Sequence, residues 1–60
     1  MTPEQQAQEL IKRYPIFDMK VPIDLKDVVF MIDFIIPELN EDGKVHWTKV
    51  NEILKNHING

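Results

Sequence analysis

Four prolines, at positions 3, 15, 22 and 37, partition this 60-residue chain. A proline ring locks one backbone angle and removes an amide donor, so a helix can start at proline but not run cleanly through it. Three intervals remain in which apolar residues recur at helical spacing, and one, Pro15 to Pro22, in which they alternate. The expected fold is all-α, a small three-helix domain occupying residues 1–60. Its helices are expected at about 3–14, 24–37 and 46–58, with a short extended segment at 16–21.

The first helix has the clearest start. Thr2 can cap it, Pro3 suits its first position, and Gln5 completes a capping box with Thr2. Ala7, Leu10, Ile11 and Tyr14 then share one stripe, and Pro15 ends the element by disfavouring a helical Tyr14. In the connector, Phe17, Met19 and Val21 fall on one side of an extended piece and are expected to reach the core, with Val45 as the plausible pairing partner.

Asp24 is a good cap for the second helix. There Val28, Ile32, Ile35 and Leu39 share the core-facing stripe, and Pro37 should kink or end the last turn. In the third helix Trp47, Val50, Ile53, Leu54 and Ile58 form the stripe, and Gly60 stops it. The expected core is therefore Leu10, Ile11, Tyr14, Val28, Ile32, Ile35, Leu39, Trp47, Val50, Ile53, Leu54 and Ile58. The stretch from Glu38 to Trp47 is expected to be an acidic loop in which Gly43 reverses the chain.

A chain this short buries only about 60% of its unfolded surface, so its core is marginal without a staple. No cysteine is present, which excludes disulfides and thiolate metal sites and fits a reducing, cytoplasmic setting. The polar, acidic N-terminus does not read as a signal peptide, and no apolar run approaches the roughly 20 residues of a membrane span. Association with another chain is the remaining staple. Net charge is −3 but uneven: nine acidic residues oppose four basic ones through Gly43, and one acidic opposes three basic ones from Lys44 on. Such polarity can steer a partner.

The second helix is apolar nearly all round, which usually means burial nearly all round. Phe30 and Phe34 lie away from its core stripe, near Asp27 and Met31. Either the first helix covers those rings, or a second copy of the chain or another protein does. The expected function is accordingly a protein-protein interaction module, homodimerisation included, with Phe30, Phe34, Asp27 and Met31 as its surface.

Residues offering other chemistry are few. There is no serine or cysteine nucleophile, and Thr2 and Thr48 are accounted for by helix starts. His46 and His57 stand 11 residues apart with no local carboxylate to complete a metal site. Asp33 shares a side with Lys26 and reads as part of a solvated face. Neither enzyme activity nor a cofactor is expected.

A first alternative comes from Glu38 to Lys49, which resembles a degenerate EF-hand calcium loop. Glu38, Asn40 and Asp42 fall at its first, third and fifth positions, Gly43 at the sixth and Val45 at the eighth. Lys49 stands where the closing bidentate glutamate belongs, so the resemblance implies weak calcium binding through Glu38, Asn40 and Asp42. A second alternative is a small helix-turn-helix nucleic-acid binder presenting Lys44, Lys49, Asn51 and Lys55. Lys49 and Lys55 do not share a stripe and no arginine is placed to read guanine edges, so nucleic acid is disfavoured.

The opening Met1-Thr2-Pro3 with Ala7, Glu9-Leu10 and Ile11 resembles the start of small uncharacterised proteins of tailed phages and gut-bacterial mobile elements. Lys26 to Ile58 is similar to them in plan: an apolar helix, an acidic loop, then a Trp- or Tyr-initiated helix, here with Trp47 followed by Val50, Ile53 and Leu54. The resemblance implies an adaptor, inhibitor or takeover factor that acts by binding a host or phage protein, and it assigns no site residue.

Overall fold

The computed structural model describes all residues from Met1 to Gly60. It contains three α-helices and no strand: α1 (Pro3–Arg13), α2 (Leu25–Ile35) and α3 (Glu41–Asn59), with a 3₁₀ turn at Ile36–Glu38 closing α2. The all-α, three-helix architecture is as the sequence predicts. No helix is long and apolar enough to cross a membrane.

Each helix start is a local hydrogen-bonding device. At α1 the Gln5 amide donates to Thr2 Oγ1 at 3.1 Å while the Thr2 amide donates to Gln5 Oε1 at 2.9 Å. Asp24 and Asp27 repeat the reciprocal box at α2, with distances of 3.0 and 3.3 Å. At α3 the cap is Asn40, whose Oδ1 accepts from the Gly43 amide at 2.8 Å. Glu41 and Asp42 occupy the first turn of α3, where the helix dipole favours negative charge.

That third start corrects two expectations. The helix begins at Glu41 rather than near His46, so the stretch from Glu38 to Trp47 is mostly helix. Gly43 has no positive φ and does not reverse the chain; the reversal lies at Pro37–Asn40, between the 3₁₀ turn and the Asn40 cap. Glycine at position 43 answers a close approach instead. A Cβ there would stand 3.2 Å from both Asn40 Oδ1 and Leu39 Cβ.

The connector from Tyr14 to Asp24 is likewise not extended into a strand. It folds into successive turns: the Lys20 amide donates to Asp18 Oδ1 at 2.9 Å, and the Leu25 amide reaches back to the Pro15 carbonyl at 2.7 Å. Phe17 and Met19 project into solvent, contrary to expectation, because the loop closes on its own backbone and leaves α1 and α3 to meet directly. Val45, the expected pairing partner, is an exposed residue of α3.

α1 and α2 each pack along α3 and touch one another little, so α3 is the central element. The molecule measures 36 × 20 × 19 Å. Its buried apolar core is small: Ala7, Leu25, Val28, Ile32, Val50 and Leu54. Leu10, Ile11, Tyr14, Trp47, Ile53 and Ile58 pack at its margin. Two expected core residues lie elsewhere. Ile35 is 42% exposed, because α1 lies on α3 and leaves that flank of α2 uncovered. Leu39 is half-buried outside the cluster, against the first turn of α3 at Gly43.

Candidate functional site

α2 turns Leu25, Val28 and Ile32 to the core, with Val29 and Ile36 beside them. At about 100° per residue, this places Phe30 and Phe34 on the opposite side. They are 73% and 77% exposed. α1 could have covered them but docks on α3 instead. Burying a phenylalanine ring is worth about 1.5–3 kcal/mol, so two adjacent bare rings forgo a large gain that another surface could supply.

Met31 and Ile35 continue this apolar surface toward α1. There a groove of about 230 Å³ opens between the three helices, lined by Leu10, Tyr14, Val28, Met31, Ile32, Ile35 and Trp47, all hydrophobic. The outer face of α2 is thus a ridge of two rings beside an apolar groove. Asp27, at one end, is exposed, and its Oδ2 accepts from the Asp24 amide. Its first task is capping. Lys26 also borders the ridge, with its ammonium 5.9 Å from the centroid of the Phe17 ring. A larger depression of about 390 Å³ lies among Lys44, Val45, Thr48, Lys49 and Glu52 on the outer side of α3. It is a space between solvated side chains, with only one apolar wall, and does not resemble a ligand site.

The cation site suggested by the EF-hand likeness does not assemble. A calcium loop needs irregular backbone that turns alternate side chains inward. Here Glu38 belongs to the 3₁₀ turn, Asn40 spends its Oδ1 on the α3 cap, and Asp42 stands in the first helical turn. No group of three or more carboxylates or histidines lies close enough to hold a metal ion.

The base-reading row expected on α3 is also dispersed. Asn51 is 3% exposed and faces α2. Its Nδ2 donates to Asp33 Oδ1 at 2.6 Å and, more weakly, to the Val29 carbonyl at 3.4 Å. Lys55 Nζ approaches Asp33 Oδ2 at 3.3 Å, and Lys49 lies 4.0 Å from Glu52. Asp33 is therefore not simply solvated: it joins α2 to α3. Sequence spacing held no sign of this contact, since 18 residues separate the two partners.

Comparison with protein families, with curated proteins and with solved structures gives no match.

Proposed function

We propose that this protein is a small interaction module that binds another protein surface through the outer face of α2, with Phe30 and Phe34 as its anchors and Met31 and Ile35 leading into the adjoining groove. The observation that carries this is the pair of adjacent phenylalanines on an ordered, capped helix, opposite its buried stripe. Aromatic anchors next to an apolar pocket are the usual energetic centre of a protein interface. Such a binder, acting as an adaptor or inhibitor, is also what the phage-like plan of the sequence implies.

The test places a photoreactive amino acid at position 34, in cells producing the protein. A discrete protein adduct is expected there, lost on Phe30→Ser, with none from the same probe at Gln8 on the exposed side of α1. Equal labelling at both positions would remove the proposal.

A further inference from the structure

Lys26, Phe30 and Phe34 recur every four residues along α2, Glu38 follows in its closing 3₁₀ turn, and all four are exposed. In chain order the row reads cation, ring, ring, anion. Laid against itself in the antiparallel sense, it is complementary throughout. Each Lys26 meets the second copy's Glu38, and each Phe30 meets the second copy's Phe34. A parallel copy would instead set lysine against lysine and glutamate against glutamate.

Neither end charge is committed within the chain. The internal ion pairs are Lys49–Glu52 and Asp33–Lys55, and Lys26 has only the Phe17 ring beside it. The spacing suits the geometry as well, since rows of every fourth residue are the ridges that interdigitate in the commonest mode of helix-helix packing.

We infer that the partner of this face is a second copy of the chain, docked antiparallel about a two-fold axis with two Phe30–Phe34 contacts and two Lys26–Glu38 ion pairs. The inference rests on the reading of the α2 face as a protein-binding surface. The area is modest. Each ring leaves about three quarters of its surface bare, so the four rings of a pair contribute about 600 Å² of apolar area. The charged ends and Met31 bring the total near the roughly 1,000 Å² that specific association needs. The dimer is therefore reversible, with half-association in the micromolar range or above.

Sedimentation equilibrium of the intact chain tests this, from micromolar to millimolar concentration. The mass is expected to climb from 7.1 kDa toward twice that value. Lys26→Glu and Glu38→Lys each create two like-charge contacts and should move association to about tenfold higher concentration. Both exchanges place charge as the helix dipole prefers, so neither should harm folding. An equimolar mixture of the two variants, in which every pair is again opposite in sign, should associate as the wild type does.

A wild-type mass that stays at 7.1 kDa to 1 mM overturns the inference, as does a mixture that gains nothing over its components. If that monomer still yields the position-34 adduct with another protein, only the self-pairing is wrong. If Phe30→Ser/Phe34→Ser lowers the melting temperature of the dilute chain by 10 °C or more, the rings are core and the binding-face reading fails with it.

Discussion

Asn51 carries the one unexplained polar atom of the interior. Its Nδ2 has two acceptors, but its Oδ1 is buried with no partner. A hydrogen bond to a carboxylate contributes about 1.5–3 kcal/mol, and an orphaned buried carbonyl costs about 1–3 kcal/mol, so the two nearly cancel. Asn51 therefore sets how α3 lies on α2 more than it stabilises the fold. Asn51→Leu should stay within about 1 kcal/mol of wild type in urea unfolding, because the freed Asp33 is half-exposed and keeps Lys55. Asp33→Ala should cost about 1–2 kcal/mol, since it strips the strong acceptor from a buried amide. The double variant should fall short of additivity by about 1 kcal/mol, and strict additivity would show that the 2.6 Å contact is without energetic weight. None of this was legible in the sequence, where Asp33 looked solvated and Asn51 looked like a surface amide. The pair meets only through tertiary packing.

Among the elements, α3 shows how one set of residues can encode two local structures. Asn40, Asp42 and Gly43 satisfy the spacing of a calcium loop, and they equally satisfy a helix N-terminus with an Asn cap. The hydrogen bond from Gly43 to Asn40 selects the helix. Asn40→Ala should cost about 1 kcal/mol in thermal or urea unfolding. Several millimolar calcium should leave both the melting temperature and Trp47 fluorescence unchanged; a rise in melting temperature would restore the loop reading. The starts of α1 and α2 were readable in advance because the Thr2–Gln5 box and the Asp24 cap lie in the local sequence; the Asp27 half of the second box appears only in the structure. Pro37 likewise announced the end of α2, and the structure answers it with a 3₁₀ turn.

The whole molecule is a shallow fold built on six buried apolar side chains. Sixty residues at about 0.05–0.15 kcal/mol each imply a total stability of about 3–9 kcal/mol. Leu54 is wholly buried on the central helix, so Leu54→Ala, costing about 2–5 kcal/mol, should remove roughly half of that stability in urea unfolding followed by circular dichroism. Phe30→Ser/Phe34→Ser removes more carbon yet should shift the melting temperature of a dilute sample by only a few degrees, because those rings face solvent in the single chain. The contrast separates core from interface in one experiment.

Helix content, the Thr2–Gln5 capping box, the Asp24 cap, the Pro37 break and the separation of Phe30 and Phe34 from the core stripe all followed from residues within a few positions of one another. They rest on i, i+3 and i, i+4 relations, which a linear sequence displays directly. Which helix faces meet is a different matter. That α1 would choose α3, leaving Ile35 and the phenylalanines bare, depends on contacts between distant segments, as does the burial of Leu25 and Asn51. Several pairings of three amphipathic helices bury similar apolar area. Only the packed structure, by closing the connector on Pro15 and joining Asn51 to Asp33, selects among them.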